Sequence, residues 1–172
     1  VAAFEAGASQ VMPYYGMPVE TEWEEVGFGF NKGIVTGLLR EQLGFDGIVC
    51  TDWGLITGDD IAGKHLPARA WGVEHLEPIE RVYKAIDAGC DQLGGEICTD
   101  LLLALVEQGR VTEERLDLSA RRILREKFRL GLFDRPYVDV EEAGRICGNE
   151  GFVQAGIAAQ RRSLVLLKND TV

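Results

Sequence analysis

The stretch Gly44-Phe45-Asp46-Gly47-Ile48-Val49-Cys50-Thr51-Asp52-Trp53 decides how this chain is read. Residues 47–51 form a short apolar run between polar and glycine residues. That pattern predicts a strand buried on both faces, as in a parallel sheet. Gly44 suits the C-terminal stop of a preceding helix over 31–43, with Asn31 as its N-cap. Asp52 then stands directly after the strand, with an indole beside it. Functional side chains gather at the carboxyl ends of parallel strands. A carboxylate there is expected to face a pocket rather than bulk solvent. The alternative is that Asp52 simply caps the next helix.

The pattern repeats on both sides. Upstream, Ser9-Gln10-Val11-Met12-Pro13 reads as a strand. Downstream, a helix over 78–88 begins at Pro78, which suits the first helical position, and stops at Gly89. Cys90-Asp91-Gln92-Leu93 reads as a third strand, followed by a helix over 98–108. Strands alternating with helices imply parallel βα units, whose crossover helices the chain supplies. The expected fold class is therefore α/β. Three units cannot close a barrel, so the sheet is either open or incomplete. The first seven residues resemble the inside of a helix, and the last five follow a strand-like run. Both ends look cut, so a piece of a longer polypeptide is expected.

A further helix is predicted over 113–130, capped by Thr112. Leu116, Ala120, Ile123, Leu124 and Phe128 fall on one side at helical spacing and are expected to pack inward. Arg121, Arg122, Arg125 and Glu126 lie opposite, as a solvated face. Asp134-Arg135-Pro136 signals a turn, and the stretch to Asn149 reads as an irregular linker. A helix over 150–162 then leads into Ser163-Leu164-Val165-Leu166-Leu167, a buried-strand signature.

Composition narrows the partners. The 172 residues are 46% apolar and carry a formal charge of -10. That is a globular composition with no basic patch for phosphate, which argues against nucleic acid and anionic membrane surfaces. No apolar run approaches the ~20 residues of a membrane span. The opening residues lack the basic and apolar regions of a secretory signal. Cys50, Cys90, Cys98 and Cys147 form no Cys-x-x-Cys pair and have no His cluster, so no zinc site is expected. Cys50 reads as a small buried hydrophobe.

Three strand ends carry candidate chemistry: Tyr14 and Tyr15, Asp52 and Trp53, and Glu96. An Asp beside an aromatic platform suits a sugar, with the ring on the pyranose face and the carboxylate at the anomeric carbon. Tyr15 could hydrogen-bond that carboxylate and favour its ionised form, or stand as an interface aromatic. Thr57-Gly58-Asp59-Asp60 lacks calcium-loop spacing and reads as a solvated turn. His65 and His75 read as surface-loop histidines. Gly94-Gly95 could cradle phosphate, but without a lysine or a fuller glycine pattern the signal is weak.

The residues 44–53 resemble the nucleophile segment of glycoside hydrolase family 3, which reads Gly-Phe-Asp-Gly, an apolar strand, then Ser/Thr-Asp-Trp. Ala88-Gly89-Cys90-Asp91 is similar to the family's step before its last barrel strand. Residues 121–133 resemble the helix closing the barrel domain, and Ser163 to Asn169 the strand opening its α/β sandwich domain. The resemblance implies the last three βα units of a (β/α)8 TIM-like barrel over 1–133, a linker and helix over 134–162, and the start of a second domain over 163–172. It implies a retaining β-glycosidase with Asp52 as nucleophile, a carbohydrate substrate, and Trp53, Tyr15 and Met12 lining the sugar site, Tyr14 being a register alternative to Tyr15. The remainder of the barrel, with its lysine-histidine motif, and the second domain, with the acid/base carboxylate, would lie outside the chain. Trp53 stands where the N-acetylhexosaminidase branch carries an acidic residue, which favours the β-glucosidase, exo-glucanase or xylosidase side. The competing reading is a non-catalytic α/β module that binds a small ligand.

Overall fold

The structure, a computed structural model, describes residues 2–170. Val1, Thr171 and Val172, on which the expectation of cut ends partly rests, lie outside the described residues. The chain forms two compact units, 1–130 and 131–172.

In the first unit, α1 (Ala2–Glu5) leads to β1 (Gln10–Val11), which pairs in parallel with β2 (Ile48–Val49). Gln10 stands opposite Ile48 and Val11 opposite Val49. Between them lies a helix, Gly33–Gln42, that is π-wound rather than α-helical. Buried Asn31 starts it, accepting the Ile34 N–H through Oδ1 at 3.0 Å while its Nδ2 donates to the Glu24 carbonyl at 2.8 Å. The third expected strand is reduced to one parallel bridge, Cys50 to Gln92. The cause is local. The Val49 N–H points at this segment, but the Asp91 carboxylate takes it at 3.0 Å in place of a main-chain carbonyl. The order β1, β2, then 90–93 still gives an α/β arrangement with its strands parallel.

The helices α2 (Pro78–Ala88), α3 (Thr99–Glu107) and α4 (Glu113–Arg129) fall where their patterns placed them. Pro78 opens α2, and Thr112 caps α4 by accepting the Arg115 N–H. Phe30, Ile56, Val82, Ile86 and Leu105 centre one apolar core, and Val35, Phe45, Val49 and Cys90 a second beneath β2. Each such fully buried side chain contributes about 1.5–3 kcal/mol. Of the turn expected at 57–60, Thr57 lies in an exposed bend, whereas Asp59 and Asp60 belong to the first arm of a hairpin, β3 (Asp59–Ile61) against β4 (Lys64–Leu66). Its two-residue loop, Ala62-Gly63, has φ of +52° and +77°, the left-handed pair that suits a two-residue hairpin.

α4 meets its amphipathic expectation only in part: Leu116 packs against the first core and Ile123 is half-buried, but the rest of the helix is turned. Ser119, Arg122 and Glu126 are buried, whereas Ala120, Leu124 and Phe128 are exposed. The cause is Asp91, whose side chain is wholly buried. Its Oδ2 accepts Arg40 at 2.6 Å, and its Oδ1 accepts Ser119 at 2.9 Å and Arg122 at 3.0 Å. Arg115 adds a charge at 4.0 Å. A buried charge must be paired and hydrogen-bonded, so the polar face of α4 turns inward to meet it. Arg122 and Arg125 also pair with Asp46, at 3.0 and 2.7 Å. Arg122 and Arg125, expected in solvent, thus tie α4 to the turn before β2, while Arg121 stays exposed as expected.

In the second unit, α5 (Val140–Ile146) lies within the stretch expected to be irregular. Asp139 caps it by accepting the Glu142 N–H at 3.0 Å. Asp followed three residues later by Glu was the missed signal. α6 (Glu150–Ser163) matches its pattern and is capped by Asn149. Residues 164–167 form no strand with any described residue, and their side chains are 75–92% exposed. A strand needs a neighbour to take its N–H and C=O groups, and here there is none among the described residues.

Candidate active site

β2 carries the chain to the site. Beyond Val49, the Thr51 N–H donates to the Gln92 carbonyl at 2.9 Å, and Thr51 Oγ accepts the Gly94 N–H at 2.8 Å. These bonds hold the end of the central strand against the 90–95 segment. Asp52 follows, 8% exposed. Its Oδ1 accepts the N–H of Trp53 at 2.8 Å. No helix starts there: the next begins at Pro78, after Glu77. The helix-cap alternative for Asp52 is therefore wrong. The residue caps a tight turn, with its carboxylate fixed by the following amide.

Tyr15 reaches the same place from the loop after β1. Its hydroxyl donates to the Trp53 carbonyl at 2.8 Å. Burial, and then hydrogen bonding and charge from Asp52, raise its phenol above the usual 10.0, so it stays a neutral donor beside the carboxylate. Tyr14 is 69% exposed, so Tyr15 is the one of the pair that faces Asp52. Met12 stands 52% exposed just past β1.

Arg69 was not foreseen from the sequence. It arrives after the β3–β4 hairpin, donates to the Trp53 carbonyl at 2.9 Å and lies 4.9 Å over the Tyr15 ring. The Trp53 peptide is thus held on its N–H side by Asp52 and on its carbonyl by Tyr15 and Arg69. Only a "Pro-Ala-Arg" in an irregular polar stretch marks Arg69 in the sequence, and no periodicity distinguishes it.

The other candidates have structural partners. Glu96 accepts the Thr57 N–H at 2.6 Å, the Thr57 hydroxyl at 2.9 Å and the Ile56 N–H at 3.0 Å. It is a clamp on the loop following Trp53. Arg81 grips the same loop from below, donating to the Ile56 carbonyl at 2.8 Å and to that of Glu74 at 2.7 Å. His65 pairs with Asp60 at 3.1 Å on the exposed hairpin, and His75 is exposed. Gly94-Gly95 lies under the Trp53 indole, which occupies the space a phosphate would need.

The result is one ordered carboxylate at the end of a buried parallel strand. A neutral phenol and a guanidinium stand near it, and an indole 48% open to solvent stands next to it. A carboxylate fixed in this way can serve as a nucleophile or stabilise developing positive charge.

Residues 1–126 match the sequence profile of the glycosyl hydrolase family 3 N terminal domain. Over 169 residues the chain is 60% identical to a protein of Aspergillus flavus named probable beta-glucosidase C, covering 98% of this chain and 27% of that one. It is 45% identical over 185 residues to a periplasmic beta-glucosidase/beta-xylosidase of Dickeya chrysanthemi, covering 99% of this chain and 28% of the relative. A beta-glucosidase from Listeria innocua in complex with isofagomine shares its fold with a TM-score of 0.70 at 28% identity, over 99% of this chain and 22% of that chain. The chain therefore spans little more than a quarter of the length of these sequence relatives. With the profile matching most of its residues, the chain belongs to glycosyl hydrolase family 3, its residues 1–126 matching the N-terminal domain of that family.

Proposed function

We propose that this chain is the nucleophile-bearing segment of a retaining, exo-acting β-glycosidase that hydrolyses β-glucosides or short β-glucans. The observation that carries the reading is Asp52: a carboxylate at the carboxyl end of the central parallel strand, oriented by the Trp53 N–H at 2.8 Å. The names of the relatives, beta-glucosidase C among them, support the substrate class. The β-xylosidase in the name of the Dickeya chrysanthemi relative favours pentosides as a second reading.

In this mechanism Asp52 attacks the anomeric carbon and the bond to the leaving oxygen breaks. A protonated carboxyl about 5–5.5 Å away gives its proton to that oxygen. Water then attacks the glycosyl-enzyme, the same group now taking the water's proton, and the sugar leaves with its configuration retained. The attack is made by the carboxylate form of Asp52. Tyr15 fixes the turn that bears it. Trp53 walls the sugar site, and Met12 lines its rim. The reaction calls on no metal or organic cofactor.

The architecture we assign is the last three βα units of a (β/α)8 barrel over 1–133, a linker and helix over 134–162, and the opening of a second domain over 163–172. The acid/base group belongs to that second domain, and the rest of the barrel to the remainder of the longer protein. The 172-residue chain alone is accordingly inactive.

A 2-fluoro-glucoside with a good leaving group, applied to a full-length protein carrying this segment, should label Asp52, read by peptide mass. Asp52→Ala should lose nearly all turnover and regain it with azide as the inverted glycosyl azide. A label on another carboxylate, or normal turnover by that variant, would sink the assignment.

A further inference from the structure

Trp53 is held unusually completely. Its N–H is taken by Asp52, and its carbonyl by Tyr15 and Arg69 at 2.8 and 2.9 Å. The main chain at this residue is therefore not free to shift. What places the ring itself is the glycine pair that ends the 90–95 segment. A Cβ built at Gly95 would stand 2.7 Å from Cγ of the indole, and closer still to its Cδ1 and Nε1. One built at Gly94 would stand 2.9 Å from the indole Cε3. The five-membered part of the ring thus lies on Gly95 and the six-membered part on Gly94.

The two glycines differ in what they touch. The nearest neighbour of a Gly94 Cβ is the Thr51 carbonyl oxygen, part of the strand that leads to Asp52. All three nearest neighbours of a Gly95 Cβ are ring atoms of Trp53. Ordinary side-chain contacts lie at about 3.5–4.0 Å, so the ring sits where only an absent side chain leaves room. Gly95 also has φ +68°, a left-handed conformation that favours glycine.

We propose that Gly95 is a specificity-determining residue of this site: its missing side chain seats the Trp53 indole and so sets the tilt of the wall on which a β-linked sugar ring lies. The proposal deepens the glycosidase reading and rests on it for the identity of the ligand. A substituent at 95 cannot move the gripped main chain, so the indole must rotate off its seat about its side-chain bonds. Its open face, 48% exposed, then meets the sugar at a different angle.

The test is a double-mutant cycle in the full-length protein, using Gly95→Ala, Trp53→Ala and both together, with a chromogenic β-glucoside as probe. Gly95→Ala should raise KM on the order of tenfold, the equivalent of about 1.4 kcal/mol. In the Trp53→Ala background the same change should leave KM within about twofold, because the group it displaces is gone. Gly95→Asn, which tolerates the left-handed backbone but still carries a Cβ, should match Gly95→Ala. Additive effects, or a KM unmoved by Gly95→Ala, would overturn the proposal. If Gly95→Ala does not fold because of the left-handed backbone, Gly95→Asn is read in its place with and without Trp53→Ala; an Asn effect on KM that persists when the indole is gone counts against the seat. Fluoro-sugar labelling away from Asp52 would remove the glycosidase reading. The seat would then be judged by the same cycle read as thermal stability.

Discussion

Replacing Asp91 with Asn takes one negative charge out of a pocket that holds three guanidinium groups. Arg40 lies at 2.6 Å, Arg122 at 3.0 Å and Arg115 at 4.0 Å from the carboxylate. At an effective dielectric of about 20, each attraction is roughly 4–6 kcal/mol before desolvation is subtracted. Asp91 is wholly buried and the three arginines are 10–23% exposed, so water replaces little of what is lost. Burial already pulls the pKa of Arg40 and of Arg115 below its usual value, against the opposing pull of Asp91. Without that carboxylate, the burial cost stands uncompensated. Removing one partner of a buried pair costs about 3–5 kcal/mol, a large share of the 5–15 kcal/mol that holds an ordinary domain. The natural probe is the Val49 amide, which donates to Asp91 at 3.0 Å. Asn can still accept that bond, so exchange at Val49 reads the opening of the cluster rather than the loss of one acceptor. Hydrogen exchange by mass spectrometry on the peptide spanning 47–51 of the full-length protein should accelerate roughly a hundred- to several-thousand-fold, at tenfold per 1.4 kcal/mol. Acceleration of less than fivefold would refute the claim that the charge cluster holds the strand carrying Asp52.

Two further outcomes follow from the site. Arg69→Ala removes a charged donor to the Trp53 carbonyl and the guanidinium over Tyr15. It should lower kcat/KM roughly tenfold to a hundredfold, since a hydrogen bond from a charged group is worth about 1.5–3 kcal/mol. Arg69→Lys should recover only part of that, lacking the planar face that stacks on the phenol; full recovery by Lys would show that charge alone matters. The Tyr15 phenol, raised above 10.0 by burial and by Asp52, should ionise later than an ordinary tyrosine in an alkaline absorbance titration compared with Tyr15→Phe. With its folded value above its unfolded one, its contribution to stability is complete below pH 10 and is lost as the pH climbs through the folded value. A phenol that ionises at or below 10 would contradict the burial of its hydroxyl beside the Asp52 charge.

The parts of this fold legible in sequence are those that obey a local rule. Ile48 and Val49 form a strand because a short apolar run between glycines has no other burial to offer. Pro78, Thr112 and Asn149 start helices because each satisfies or dispenses with a free N–H. Asp52 and Tyr15 could be placed for the same reason: strand ends in a parallel sheet converge. Arg69 could not, because it acts across 16 residues of irregular chain onto a main-chain carbonyl, an interaction with no period or spacing. Glu96 stood at a strand end like a functional group, yet its donors are backbone amides of residues 56 and 57, which a sequence does not display. Gly94-Gly95 was noticed for the wrong partner. A glycine pair announces close approach, but whether a phosphate or an indole makes that approach is decided elsewhere in the chain.

The turned facing of α4 shows why apolar periodicity held for Leu116 but failed for Ala120, Leu124 and Phe128. Ala120, Leu124 and Phe128 follow helical spacing as well as any core stripe, yet they line an exposed apolar hollow with Asp117 and Arg121. Turning them inward would gain about 1.5–3 kcal/mol for each large side chain buried. It would also carry Arg115, Ser119 and Arg122 away from Asp91, leaving a buried carboxylate with Arg40 and one amide. That loss, about 3–5 kcal/mol for a broken buried pair, is compounded by the two bonds from Arg122 and Arg125 to Asp46. The charged face therefore decides the helix orientation, and the residue that makes it decisive, Asp91, sits in a different element 22 or more residues upstream of α4. Asp91 also holds Val49, three residues before Asp52. The same carboxylate that turns α4 over thus fixes the strand end from which the proposed nucleophile projects.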